Sequence, residues 1–240
     1  MSPRARTPRS RAIKLKTQRT LVLVKPDGVQ RHLVGDIIRR FEQAGLKIVG
    51  LKLVWATPHI IDRHYRHDAD YLMSIGEKTI KGMEQLGLHV HGTPLEIGRR
   101  VRSYLSRHLS IGPVVAMVLQ GTNAIRNVRQ LVGSTDPLTA DIGSIRGDLT
   151  IDTIQLADLE QRAVRNLVHA SGDPEEAERE IPTWFSPGEL HAYHTVMDIV
   201  LHDENWDRPS PGIRPTVRRR PAEAQPGAKS GRPAGKGKQR

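Results

Sequence analysis

Three short runs of β-branched and leucine residues, Thr20–Val24, Leu46–Trp55 and Val114–Leu119, constrain this chain more than any other feature. Each is long enough for a buried strand and too short for a buried helix. What lies between them has helical periodicity. Gly35–Ala44 places Ile37, Ile38 and Phe41 on one face and stops at Gly45. Pro58–Tyr65 opens a second helix, and Asn123–Leu131 follows the third run. Gly50 marks an irregularity inside the second strand. Strand–helix–strand, then helices, then strand–helix predicts an α/β or α+β sandwich with helices covering a sheet. Residues 66–98 fit this pattern worst. They carry Gly76, Gly82, Gly87, Gly92 and Gly98 among mixed charges and read as an inserted helical hairpin or lid.

The chain has 240 residues, with 37% hydrophobic and only 4% aromatic content, so its core must rest on Val, Leu and Ile. With no cysteine, a disulfide framework, a thiolate metal site and a thiol nucleophile are all excluded. No apolar run is long enough to cross a membrane, and no apolar secretory segment precedes the first strand.

The formal charge of +11 is not spread evenly: residues 1–19 contribute +7 and residues 208–240 contribute +9, which leaves residues 20–207 at −5. The basic character therefore belongs to the two ends. Both lack the apolar content to fold, and their expected partner is nucleic acid, held weakly. The first 19 residues read as a solubilising arm. Their Arg-rich, acid-free composition also matches a transit peptide, but they lack its apolar face. The domain organisation is thus a basic arm at 1–19, a folded domain at 20–207 and a basic Pro/Gly-rich tail at 208–240.

Four segments of the domain can carry chemistry. Lys25, in the loop Lys25–Gln30, follows the first strand, where open sheets bind ligands. No glycine-rich loop with a following Lys-Ser/Thr is present, so an ordinary P-loop is excluded. Arg129 and Arg146 offer planar forks that match phosphate oxygens, and Thr135 offers a hydroxyl in a tight Gly-Ser-Thr-Asp-Pro turn. His169 sits in Asn166-Leu167-Val168-His169-Ala170-Ser171, just before Asp173-Pro174-Glu175-Glu176, a strong helix start with Asp173 as N-cap. A phosphohistidine needs a neutral imidazole with one nitrogen free and the other fixed by a partner, for which Glu180 is the candidate. The pairs His64/His67, His89/His91 and His191/His194 lack a third ligand in a recognisable metal motif, so no protein-held metal is expected.

Taken in order, these segments resemble the nucleoside diphosphate kinase family. The resemblance is carried by Lys25–Gln30 (KPDGVQ), Val34–Gly45 (VGDIIRRFEQAG), Leu46–Leu53 (LKIVGLKL), Gly112–Val118 (GPVVAMV), Gly133–Pro137 (GSTDP), Ser144–Asp148 (SIRGD), Asn166–Ser171 (NLVHAS) and Glu180–Phe185 (EIPTWF). It covers roughly residues 19–207. The resemblance implies a ferredoxin-like antiparallel sheet covered by helices. It also implies a ping-pong transfer of the γ-phosphate of a nucleoside triphosphate to a nucleoside diphosphate through His169. Lys25, Tyr65, Arg129, Thr135 and Arg146 would then hold phosphates, and Asn166 the sugar. Val101, with Leu105 below it, would face the base, and Ser171 and Glu180 would support the histidine. Mg²⁺ would arrive with the nucleotide, and the protein would be a cytoplasmic homo-oligomer, hexamer or tetramer.

Two departures stand out. Gly172-Asp173 replaces the family's usual Asp-Ser after the histidine segment, and segments near 66–98 and 152–161 read as insertions.

Overall fold

The computed structural model describes residues 17–202. The basic arm up to residue 16 and the tail from residue 203 lie outside the described residues, and with them the expected nucleic-acid contact. The first strand, β1 (Thr17–Val24), starts three residues before the apolar run, inside the segment assigned to the arm. It is followed by α1 (Pro26–Gln30), α2 (Val34–Gln43), β2 (Lys47–Val54), α3 (Pro58–His64), α4 (Ala69–Glu84) and α5 (Pro94–Ser110). Then come β3 (Val114–Thr122), α6 (Ala124–Val132), α7 (Ile145–Leu149), α8 (Ile154–Leu159), β4 (Val168–Ala170), α9 (Pro174–Trp184) and α10 (Val196–His202). The strands form one antiparallel sheet in the order β2-β3-β1-β4, the ferredoxin-like arrangement expected above. The irregularity foreseen at Gly50 is a register shift between Ile48 and Gly50.

β1 reads as an unbroken apolar run because both of its faces are covered. Val22 and Val24 join Ile37 and Phe41 of α2 and Val128 of α6 on one side. Leu21 and Leu23 join Ile61 of α3, Leu109 of α5 and Trp184 of α9 on the other. A half-exposed strand would alternate apolar and polar residues instead. At the outer end of β2 burial alternates, and the exposed positions are apolar: Leu51 and Leu53, with Trp55 just past the strand.

The hairpin expected within 66–98 is built from α4 and α5, and its second helix runs on to Ser110. The two helices are antiparallel and touch backbone to backbone. A Cβ at Gly76 would come 1.8 Å from the Pro94 carbonyl oxygen, and one at Gly98 would come 1.9 Å from that of Leu72. Only glycine permits that approach. Thr93 and Glu96 close a capping box at the start of α5.

Candidate active site

Lys25 ends β1, but the residues after it are not a loop. Proline at the first helical position fixes the backbone for a single turn of helix, α1. The Lys25 ammonium is buried, bonded to the Asn166 side-chain oxygen and, at 3.4 Å, to the Val164 carbonyl. Burial lowers its pKa to about 8, against the opposing pull of Asp27. Asn166 in turn donates its amide to the Thr135 carbonyl at 2.6 Å. The lysine, the asparagine and the Gly-Ser-Thr turn are therefore one connected wall.

Arg146 does something the sequence did not indicate. Its guanidinium donates to the carbonyls of Asn166 (3.1 Å), Gly133 (3.0 Å), Ser134 (2.9 Å) and Val168 (2.5 Å). Of five N–H donors, these bonds use four and leave one on Nη2. Arg146 is chiefly a clamp on the backbone that carries Asn166 and His169. Burial and the nearby Arg129 lower its pKa to about 10, so it keeps its charge at neutral pH. Arg129, by contrast, is exposed on α6 and its fork is open.

His169 lies in the middle of β4, paired with Leu23 of β1. Its Nε2 faces the two oxygens of Glu180 at 3.1 and 3.0 Å. Ser171 donates its hydroxyl to Glu180 Oε2 at 2.7 Å, and the Leu21 N–H bonds to the same hydroxyl at 3.3 Å. Burial pushes the Glu180 carboxyl up. The charge and hydrogen bond of His169, with help from His64 and Ser171, outweigh it and bring the carboxyl down to about 2. An ionised Glu180 can only accept, so His169 carries its proton on Nε2 when neutral, and Nδ1 keeps its lone pair.

Asp173 caps α9 as expected, accepting the Glu176 N–H at 2.8 Å. At the departure next to it, the Gly172 N–H is held by Glu176 at 2.7 Å. A Cβ at Gly172 would press on that carboxylate at 2.8 Å.

A cavity of about 250 Å³ brings Lys25, Tyr65, Arg129, Thr135, Arg146, Asn166 and His169 together. Leu105, Val164 and Glu176 also line it, but Val101 does not. Val101 and Leu105 lie four residues apart on α5, and only the lower one reaches the cavity. A larger groove of about 840 Å³ lies alongside, sharing Arg129 and Gly133 but not His169.

Asp27 and His108 have no role in the sequence reading, and His64 figures there only in a discounted metal pair with His67. His64 is buried edge-on to the His169 ring, with centroids 4.5 Å apart, and burial lowers its pKa to about 3. Asp27 and His108 form a buried pair beneath Lys25. An acid in a turn and a histidine on a polar helix carry no local signal of such a pairing.

Among the described residues, the one group of three metal-ligating side chains is His64, His169 and Glu180. Two imidazoles and one carboxylate do not suit Mg²⁺, which prefers oxygen ligands. The remaining lone pair of His64 is also directed at the Trp184 N–H, 3.4 Å away.

A family model described as nucleoside diphosphate kinase matches residues 18–82 and 98–190. A nucleoside diphosphate kinase from Pyrobaculum aerophilum is 48% identical over 181 residues, which is 73% of this chain and 99% of that protein. A crystal structure of an NDP kinase from the same organism superposes with a TM-score of 0.71 at 46% identity, covering 73% of this chain and all of the other. A nucleoside-diphosphate kinase from Borrelia burgdorferi, solved as a transition-state mimic with vanadate and ADP, superposes with a TM-score of 0.64. It is 31% identical, and the match covers 77% of this chain and 96% of that one.

Proposed function

The chain belongs to the nucleoside diphosphate kinase family, and from that premise we propose how its residues divide the work. The enzyme transfers the γ-phosphate of a nucleoside triphosphate to a nucleoside diphosphate in two steps through a phosphohistidine. His169 is the nucleophile. Its Nδ1 lone pair attacks the γ-phosphorus, the bond to the bridging oxygen breaks, and the diphosphate leaves. A second diphosphate then attacks the phosphorus with a terminal oxygen, and His169 is restored. The observation that carries this assignment is the Nε2–Glu180 contact, which leaves Nδ1 free and offsets the positive charge that the ring gains on phosphorylation and gives up when the second diphosphate takes the phosphoryl group.

Lys25, Tyr65, Arg129, Thr135 and the free N–H of Arg146 hold phosphate oxygens. Asn166, fixed by Lys25, meets the sugar, and Ser171 and Glu180 support the histidine. The base lies against Leu105, with Val101 behind it. Phosphoryl transfer needs little covalent chemistry from the protein, so positioning and charge neutralisation carry most of the catalysis.

The family uses a divalent cation, and Mg²⁺ bound to the nucleotide phosphates is the form proposed here. Its role is charge neutralisation.

The protein acts as a homo-oligomer, hexamer or tetramer, a reading supported by the exposed Leu51, Leu53 and Trp55 on the edge strand. It works in the cytoplasm; among the described residues no helix is long and apolar enough to cross a membrane. The catalytic domain takes in β1 from Thr17 and extends to 207, with basic ends before it and at 208–240 that touch nucleic acid weakly. The insertion expected near 66–98 is supported only at 83–97, which the family model leaves unmatched, whereas 66–82 and 152–161 lie within its matched segments.

The test is incubation with γ-labelled ATP. Wild type takes up an acid-labile label and His169→Ala takes up none; equal labelling of both, or of neither, sinks the assignment.

A further inference from the structure

Leu167, two residues before the nucleophile, is the strained point of the site. Its φ is +64°, a left-handed value that a leucine rarely adopts. Around it the Val168 N–H donates to the Asn166 carbonyl at 2.7 Å, closing a three-residue turn. Such backbone persists only where its surroundings over-determine it. Arg146 holds the carbonyls on either side, and the Lys25 N–H holds the Leu167 carbonyl at 2.8 Å. The remaining group, the Leu167 N–H, donates to Asp27 Oδ2 at 2.9 Å. The other oxygen of that carboxylate meets His108 Nε2 at 3.1 Å.

Asp27 and His108 are both buried, so neither can exchange its partner for water. His108 stands three residues beyond Leu105 on α5, on the same face of the helix. One contact therefore ties the helix that faces the base to the turn that carries the reacting residue.

We propose that His108 is a positioning residue for phosphoryl transfer: through Asp27 it holds the Asn166–Val168 turn in the conformation that presents Asn166 and His169 to the nucleotide. Orienting Asp27 is its role, and it touches neither substrate nor His169. Burial raises the Asp27 carboxyl, and the His108 bond outweighs it together with the Lys25 charge and the Leu167 N–H, holding the carboxyl at about 2. The charged and titratable groups that face Asp27 are His108, Lys25, Arg146 and Tyr65. Without His108 the carboxyl takes up its proton at higher pH, and its grip on the Leu167 N–H weakens. This proposal rests on His169 being the nucleophile.

The experiment measures single-turnover labelling of the enzyme by γ-labelled ATP across pH, in wild type, His108→Phe, His108→Gln, Asp27→Asn and the His108→Phe/Asp27→Asn double variant. At saturating ATP, His108→Phe slows labelling about tenfold or more, the scale on which small misplacements act, while half-saturation by ATP moves less than about threefold. The acid limb of its rate profile shifts to higher pH. His108→Gln, which keeps an N–H donor, recovers most of the rate. The double variant is slower than the slower single variant by less than about twofold, because both changes remove one interaction.

A His108→Phe protein that melts earlier but keeps its labelling rate and acid limb overturns the proposal, as does an additive double variant. Should His108→Phe not fold, His108→Gln and His108→Met are compared in its place with the same outcomes. His169→Ala serves as the control. Label persisting there fails the nucleophile assignment, and is told apart from a normal rate in His108→Phe.

Discussion

The two walls of the nucleotide cavity are built on different principles. The wall of Lys25, Arg146, Asn166 and His169 is over-bonded: each side chain has at least one short partner, and their carbonyl and carboxylate acceptors come from distant parts of the chain. The wall supplied by the α4–α5 hairpin is packed against itself, through Gly76 and Gly98, and reaches the rest of the site at few points. Arg102 bonds to Asp62 at 2.7 Å and to the Tyr65 carbonyl, and His108 bonds to Asp27. The first wall is pre-organised for charge that develops during transfer, where reorganisation costs rate. On the proposed reading the second faces the part of the nucleotide that does not react, and can tolerate variation. The over-bonded wall should therefore be intolerant of change in kcat, and the hairpin wall, except at His108 where it is tied to the first wall through Asp27, should respond mainly in stability and KM.

The largest expected effect lies at the centre of the first wall. His169→Ala should lose about four orders of magnitude or more of turnover, because a covalent route cannot be replaced by positioning alone. A coupled NDP-phosphorylation assay reads it, and retention of a tenth of the activity would break the comparison at its strongest point. Next, Arg146→Lys should lower kcat by about 10²-fold, since a lysine cannot reach the carbonyls that Arg146 bridges. The same change should destabilise the fold by about 3 kcal/mol, the scale for stripping a buried charge of most of its hydrogen-bond partners. If kcat holds while KM alone rises, Arg146 is a phosphate grip and no clamp.

Gly98→Ala reverses the pattern. Its methyl group must displace the Leu72 backbone, which should cost about 1–3 kcal/mol in denaturant unfolding. The maximal labelling rate at saturating nucleotide should change far less than for Arg146→Lys; an equal loss would join the two walls into one cooperative unit.

Acid sharpens the same contrast. The Glu180 carboxyl is depressed on folding, so its contribution is present above the ordinary glutamate range and is lost as pH falls from about 4.5 through about 2. On the order of 2–3 kcal/mol should disappear over that window, and Glu180→Gln should flatten that part of the stability curve measured by denaturant titration at successive pH values. On the alkaline side, loss of the Lys25 proton near pH 8 should weaken nucleotide binding, and Lys25→Arg should move that limb upward. The smallest effect is expected for Val101→Ala, less than about twofold in KM, against a larger change for Leu105→Ala that removes buried contact with the base.

Much of this was legible in the residues themselves. The strand runs, the Asp173-Pro174 helix start, Glu180 as the partner of His169 and the order of the segments each depend on local chemistry or on spacing, whereas the role of Ser171 came only with the family resemblance. Val101 does not line the cavity whereas Leu105 does, because counting along a helix gives a face but not the depth of its contact. Arg146 was read as a phosphate fork because its charge is visible in sequence, whereas its carbonyl partners, 12 to 22 positions away, are not. Asp27 and His108 are separated by 81 positions, and nothing near either one announces the other.

By itself the sequence indicated the main strands and helices and the layer arrangement, and with the family resemblance it singled out His169, because hydrophobic period, capping and side-chain chemistry act over a few residues. The short helix after Lys25 and the strand that carries His169 were not indicated by it. Only the tertiary structure decided which nitrogen of His169 is free, how Arg146 spends its donors and what holds Leu167 in a left-handed turn. Those depend on hydrogen bonds between segments far apart in the chain, whose strength comes from burial that no single segment possesses until the sheet has formed.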